Sequence, residues 1–384
     1  MGTGLVTPVP NRRIVETEPV PLRYHRQMIL PEVGIEGQRK LRAGRVLIVG
    51  AGGLGSPAAL YLAAAGVGRL GLVDFDAVDE TNLQRQILYS TNDVGRPKLA
   101  AAASRLRGLN PDVEVVCHEA PFGAGNALAL VSAYDVVIDG TDNFPTRYLV
   151  NDACVMAGTP NVYGSVFRFE GQVSVFATPQ GPCYRCLHPE PPPAGLIPNC
   201  AEAGVLGVLP GLIGTVQATE AIKWLMGIGD GLIGRLLLYD ALRLRFREIA
   251  LPRDRACPVC GDAPTIRTLV AYAEACETRA EGDMTVEELH QWRRDRRSHV
   301  LVDVREPSEA AICKIEGSLL VPLSSLPNRI ADLPTDRPIV VHCKLGGRSA
   351  RATAMLRAKG FDAHNLSGGI AAWADRIDPA LTRY

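Results

Sequence analysis

Between Val46 and Glu80 the chain reads VLIVGAGGLGSPAALYLAAAGVGRLGLVDFDAVDE. An apolar run of strand length, a glycine turn, a helix of small residues and a second apolar run follow one another without a break. That order predicts a βαβ unit, with strands at Val46 to Val49 and Leu70 to Val73 and a helix ending near Ala65. Gly50, Gly52 and Gly55 fill the pattern G-x-G-x-x-G. Such glycines let the backbone turn tightly and approach phosphate, while the helix N-terminus offers unpaired N–H groups and a positive dipole end. Asp74, at the end of the second strand, suits a ribose hydroxyl. By itself the unit leaves NAD, FAD and ATP open, and a nicotinamide oxidoreductase is the first guess.

With 384 residues, 47% of them apolar, the chain is long enough for two domains with real cores. Its 41 basic and 41 acidic residues balance, which removes the electrostatic case for bulk nucleic-acid or membrane binding. The longest uncharged apolar run, Ala203 to Thr219, is broken by Pro210 and glycines and reads as buried structure, not a membrane span. Residues 1–20 are polar and proline-bearing, with no apolar stretch of signal-peptide length, and the expectation is a mobile arm on a cytoplasmic protein.

Further along, Gly95-Arg96-Pro97-Lys98 opens a predicted helix through Leu109, Val113 to Cys117 reads as a strand, and Val136 to Asp139 as a parallel strand leading into Gly140-Thr141-Asp142-Asn143. Ligands bind at the carboxyl ends of strands in open α/β sheets, so Asp142 belongs near the glycine turn. The pattern continues with a helix from Arg147 to Ala157, strands at Asn161 to Tyr163 and Gln172 to Ala177, a helix from Ile213 to Met226, and closing strands at Leu236 to Asp240 and Arg245 to Ile249. The expected domain, 21–263, is a Rossmann-like mixed sheet with helices on both faces. A linker over 264–283 and a smaller α/β domain over 284–384 follow, the latter opening with Thr285 as a helix cap.

Arg85, Lys98 and Asp142 supply what a dinucleotide does not require: two cations for phosphate charge and one carboxylate for Mg²⁺. Taken in order, GAGGLG, LVDFD, NLQRQ, GRPK and TDN resemble the E1-like (ThiF-type) adenylating enzymes that activate ubiquitin-fold sulfur carriers in molybdopterin and thiamine biosynthesis. The resemblance spans residues 20–262. It implies a homodimeric adenylyltransferase acting with ATP and Mg²⁺ on the C-terminal Gly-Gly of a carrier. Gly52, Gly53 and Gly55 would line the nucleotide, Asp74 hold its ribose, Asn82, Arg85, Gln86 and Lys98 contact ATP, and Asp142 serve as the Mg²⁺-linked catalytic carboxylate. Arg26, in RYHRQ, matches an arginine that reaches into the neighbouring subunit's site.

With no export signal expected, ten cysteines point to metal and thiol chemistry and not to disulfides. Cys183, Cys186, Cys257 and Cys260 form two C-x-x-C pairs, and four thiolates so grouped make a structural zinc site. Cys200 lies where some relatives use a cysteine for thioester or sulfur-transfer steps, and its expected role is auxiliary. Cys117, Cys154, Cys276 and Cys313 have no partner cysteine beside them in sequence and read as incidental thiols.

In the second domain, His342-Cys343-Lys344-Leu345-Gly346-Gly347-Arg348-Ser349 joins a predicted strand, Ile339 to His342, to a helix, Ser349 to Lys359. Loop N–H groups converging on Cys343, with Arg348 nearby, favour a thiolate and can hold an anionic persulfide. Only four residues separate Cys343 from Arg348, fewer than in the phosphate-cradling loop of cysteine phosphatases. The loop, with VDVRE at Val302 and GSLLVPL at Gly317, resembles the rhodanese sulfurtransferases. A departure from that family's pattern at Ala310-Ala311 and Cys313-Lys314 bears on donor preference. Together the resemblances imply carrier adenylation followed by sulfur transfer from a Cys343 persulfide, loaded by a cysteine desulfurase or thiosulfate, to give a carrier thiocarboxylate. The alternatives are an NAD-dependent oxidoreductase, a binding scaffold with an inert rhodanese, and an E1-like activator for protein conjugation through a Cys200 thioester.

Overall fold

A computed structural model describes residues 21–191, 204–271 and 283–383. These fall into two compact units, 21–191 with 204–271, and 283–383. In the first unit an eight-stranded sheet runs in the order β3-β2-β1-β4-β5-β6-β7-β8. The strands are β1 Arg45–Val49, β2 Arg69–Val73, β3 Glu114–His118, β4 Val136–Asp139, β5 Asn161–Phe167, β6 Glu170–Phe176, β7 Arg235–Asp240 and β8 Arg245–Ala250. From β3 to β5 the pairing is parallel, and from β5 to β8 it is antiparallel.

The central strands are buried on both faces, which is why β1, β2 and β4 read as continuous apolar runs without alternation. Helix Gly55–Ala65 follows β1 and ends at Gly66, whose φ of 81° gives it a left-handed cap. It packs against helix Val208–Met226 so tightly that a Cβ on Gly214 would come within 2.3 Å of the Leu54 carbonyl oxygen. The latter helix starts five residues before the expected Ile213. Pro210 and Gly211 suggest a break, yet a proline in a first turn removes no intrahelical hydrogen bond.

Strand β5 is likewise longer than expected. It extends to Phe167 and returns through Arg168, at φ 54°, into β6. Part of the stretch read as linker lies on this unit: the N–H groups of Thr265 and Ile266 donate to the Pro258 carbonyl, and Leu269 packs on a cluster containing Leu47 and Val73.

The second unit holds a four-stranded parallel sheet in the order β10-β9-β11-β12, with β9 Val300–Asp303, β10 Leu319–Leu320, β11 Ile339–His342 and β12 Ala363–Asn365. Thr285 caps helix Val286–Arg294 in a reciprocal capping box with Glu288. Helix Gly347–Arg357 leaves β11 after a four-residue loop, and helix Gly369–Arg376 closes the unit. Among the described residues no helix is long and apolar enough to cross a membrane.

Candidate functional site

The glycine turn leaves β1 beside the exit of β4. Gly50 adopts φ 92°, and a Cβ there would stand 2.9 Å from the Gly140 carbonyl oxygen; one on Gly55 would stand 2.0 Å from the Gly50 oxygen. Only glycine permits this approach. The two strand exits are further joined by the Gly140 N–H, which donates to the Val49 carbonyl at 2.9 Å. Asp142, exposed two residues beyond, therefore sits on the rim of the same crevice.

Around this turn the predicted nucleotide residues gather. Asp74 accepts the Ala51 N–H and the Asp76 N–H, each at 2.9 Å, so its carboxylate is tied to the glycine turn itself. Arg85 and Gln86 lie beside it: hypothetical Cβ atoms on Gly53 and Gly52 would be 3.5 Å from the Arg85 Cγ and 3.6 Å from the Gln86 Nε2. Gln86 donates to the Asn82 side-chain oxygen at 2.6 Å. Lys98, the buried first residue of helix Lys98–Leu109, pairs with Asp76 at 2.8 Å.

Several supporting residues escaped the sequence reading. Asp76 holds Lys98, and its only signal was its place two residues after Asp74 in LVDFD. Tyr89 donates its hydroxyl to the Ala51 carbonyl at 2.8 Å from a buried position, and burial pushes that phenol well above its ordinary range. Beneath the β4 exit, Asp139 accepts the Thr141 N–H and hydroxyl on one oxygen. Burial raises its carboxyl above the usual range, against the opposing pull of Arg147 and the Thr141 bonds. Arg147, also buried, donates to the Thr141 carbonyl at 3.1 Å and lies over the rings of Tyr163, Phe144 and Tyr184. Asp139 and Arg147 thus fix the loop that carries Asp142.

Two predicted residues stand outside this grouping. Arg26 is exposed on the helical turn His25–Met28. Cys200 lies outside the described residues, as does Cys276. Cys154 is buried, and burial holds its thiol well above the ordinary range; Cys117 is half-buried and donates to the Leu99 carbonyl.

Cys183, Cys186, Cys257 and Cys260 converge, with all four sulfurs within 4.8 Å of one another. Cys183 and Cys257 are 3.5 Å apart, Cys186 and Cys260 3.4 Å. Four sulfurs at the usual Zn–S length on a tetrahedron would be separated by about 3.8 Å, so the cluster fits zinc. Its first pair is anchored by a buried bidentate pair between Arg185 and Asp152, with both bonds at 2.9 Å. The second pair lies 74 residues away in sequence, so an ion held here would clip the end of the unit to its middle.

In the second unit Cys343 is buried between β11 and helix Gly347–Arg357. Its sulfur accepts the Gly346 N–H at 3.1 Å. The Ser349 hydroxyl lies 3.4 Å from the sulfur, 3.0 Å from the Gly346 carbonyl and 2.7 Å from the Asn365 side-chain oxygen, three acceptors for a single proton. Below the loop, fully buried Arg305 grips both oxygens of Asp303 and donates to the Cys313 carbonyl. Arg348 is held by Glu309 through two bonds of 2.6 and 2.8 Å.

A family model described as the ThiF family matches residues 24–259, and one described as a rhodanese-like domain matches residues 285–376. The chain is 47% identical over 377 residues to a Mycobacterium tuberculosis protein called probable adenylyltransferase/sulfurtransferase MoeZ, an alignment covering 94% of this chain and 95% of that one. It is 55% identical over 262 residues to the sulfur carrier protein adenylyltransferase of Thermus thermophilus, covering 67% of this chain and 97% of that protein. Among solved structures, E. coli MccB superposes with a TM-score of 0.57 at 22% identity, over 63% of this chain and 73% of its own. At that identity the likeness concerns the fold alone.

Proposed function

From the premise that the chain belongs to the ThiF family and ends in a rhodanese-like domain, we propose that it adenylates the C-terminal glycine carboxylate of a ubiquitin-fold sulfur carrier and converts it to a thiocarboxylate. The observation that carries this reading is the presence in one chain of two sites with complementary chemistry. One is the glycine-turn crevice with Asp74, Arg85, Lys98 and Asp142. The other is Cys343, with a backbone N–H aimed at its sulfur. A carboxylate is a poor electrophile, and adenylation gives it a good leaving group. A persulfide is the nucleophile that uses it.

In the first step the glycine turn and the N-terminus of helix Gly55–Ala65 bind phosphate oxygens, Asp74 binds the ribose, and Asn82 and Gln86 line the nucleotide. One carrier carboxylate oxygen bonds to the α-phosphorus, and pyrophosphate leaves with the bonding electrons of the phosphoanhydride. Arg85, Lys98 and Arg26 of a second copy stabilise the charge that develops. Asp142 is the residue that would hold Mg²⁺, which, when bound, neutralises phosphate charge. Exposed Leu22, Ile29, Leu30 and Ile35 flank Arg26 and give the homodimer an apolar face to bury.

In the second step the terminal sulfur of the Cys343 persulfide bonds to the acyl carbon and AMP departs. The resulting acyl-disulfide is cleaved by a thiol, which leaves the carrier as a thiocarboxylate and the thiol in a disulfide with Cys343. Cys200 is the candidate for that thiol. Arg348, at the end of the Cys343 loop and paired with Glu309, supplies the loop's cation. The Cys183, Cys186, Cys257 and Cys260 cluster holds zinc in a structural role.

ATP–pyrophosphate exchange in the presence of Gly-Gly-terminated carriers tests the division of labour. Asp142→Ala is expected to abolish exchange and Cys343→Ala to preserve it. Exchange that proceeds unchanged in the Asp142 variant overturns the assignment of the first site.

A further inference from the structure

Arg348 is the cation of the Cys343 loop, but its guanidinium is already engaged. Glu309, on helix Pro307–Ile312, takes both terminal nitrogens in a bidentate pair whose side chains are 11% and 12% exposed. The carboxylate is itself fixed in place: it accepts the Glu306 N–H at 3.0 Å to complete a capping box, and the Glu309 N–H donates back to the Glu306 carbonyl at 3.0 Å. The Glu309 carbonyl accepts from Arg305, the arginine that grips Asp303 beneath the loop. Exposed ion pairs exchange freely with water and contribute little, whereas a shielded, bidentate pair with one partner fixed by the backbone holds its geometry. The loop therefore presents a cation whose charge is cancelled on one face.

This matters for sulfur donors, because they differ in charge where they react. Thiosulfate brings two negative charges to the Cys343 sulfur and leaves as sulfite. An organic persulfide brings at most one at the reacting group. We propose that Glu309 is a donor-selecting residue, which by neutralising Arg348 makes the Cys343 loop favour persulfide donors over dianionic thiosulfate.

The inference rests on the reading of Cys343 as the persulfide carrier. With thiosulfate, the Cys343 thiolate attacks the sulfane sulfur, the S–S bond breaks and sulfite departs with its electron pair. With a persulfide donor, the same attack on the outer sulfur releases the donor thiolate. Both reactions leave Cys343 with one added sulfur. Removing the charge of Glu309 uncovers a cation for the two-charge donor and does little for the other.

The test loads the full-length protein from thiosulfate and, separately, from a persulfide with an uncharged carbon skeleton, with the added sulfur on Cys343 read by mass spectrometry. Glu309→Gln is expected to raise kcat/KM for thiosulfate about tenfold, through KM, since uncompensated charge near a bound anion carries effects of that order or larger. Loading from that persulfide should stay within about twofold, and added salt should erode the thiosulfate gain. Glu309→Asp, which keeps the charge, should restore the wild-type preference. Parallel changes for both donors in Glu309→Gln, or no gain for thiosulfate, overturn the proposal, because a merely structural role of Glu309 slows both. Failure of the wild-type protein to acquire sulfur on Cys343 from either donor refutes the underlying reading instead.

Discussion

Replacing Gly369 with alanine separates the two activities by a steric clash at the Cys343 loop. Gly369 has φ 56°, and a Cβ there would lie 2.4 Å from the Cys343 carbonyl oxygen and 2.6 Å from that of Lys344. Ordinary carbon–oxygen contacts begin at about 3.3 Å, so the loop must retreat by roughly 0.8 Å. Those carbonyls are the ones tethered by the Ile370 and Ala371 N–H groups at 2.9 and 3.1 Å. The same retreat stretches both bonds beyond hydrogen-bonding range. Each lost bond costs about 1 kcal/mol, and the left-handed conformation costs a non-glycine residue about 1 kcal/mol more.

The sum, about 3 kcal/mol, corresponds to roughly a hundredfold shift in loop population. Misplacement of a reacting atom by about 1 Å has a comparable kinetic effect. Gly369→Ala should therefore load sulfur on Cys343 about a hundredfold more slowly, measured by mass spectrometry after a timed exposure to donor, while ATP–pyrophosphate exchange stays at the wild-type rate. Loading within about twofold of wild type would show that the terminal helix does not position the Cys343 loop.

Tyr89→Phe removes the hydroxyl that holds the Ala51 carbonyl; the expected loss of about 1 kcal/mol should raise KM for ATP about fivefold in the exchange assay, with kcat little changed. Cys257→Ser should lower bound zinc, read by metal analysis, and reduce the melting temperature of the first unit by at least about 5 °C. His342 is buried, its ring nitrogens find no close hydrogen-bond partner among the described residues, and desolvation lowers it to about 4 despite the opposing pull of Asp303. A depressed histidine favours the neutral folded form, so this contribution is fully present above the unfolded value near 6.5 and is lost as pH falls towards 4. It amounts to about 3 kcal/mol. The second unit should lose stability across that interval in denaturant titrations, and His342→Leu should flatten the dependence.

The parallel half of the large sheet was legible because its strands and helices carry unbroken apolar or small-residue runs, and β4, Val136–Asp139, falls where the pattern places it. Other features depend on partners distant in the chain. The Phe167–Arg168–Phe169 turn carries no glycine or asparagine, so the β5–β6 hairpin gave no local turn signal. β10 is two residues long and exists only through its pairing with β9. Motif residues such as Asp74, Arg85 and Lys98 announced themselves by spacing. Asp76, by contrast, acts through its pairing with Lys98, and Asp139 and Arg147 through burial and hydrogen bonds, none of which a linear pattern displays. Glu309 reads as an ordinary surface acid in VREPSE until folding brings it to Arg348, 39 residues away.

The mass of the carrier shows most directly whether Cys343 delivers the sulfur. A Gly-Gly-terminated ubiquitin-fold carrier is incubated with ATP, Mg²⁺, a sulfur donor, a reducing thiol and either the wild-type protein or Cys343→Ala. The wild-type reaction should replace one carrier oxygen with sulfur. The variant should still form carrier adenylate, with exchange intact, and yield no thiocarboxylate. A carrier that gains sulfur equally well from the Cys343 variant with the same donor would contradict the central claim.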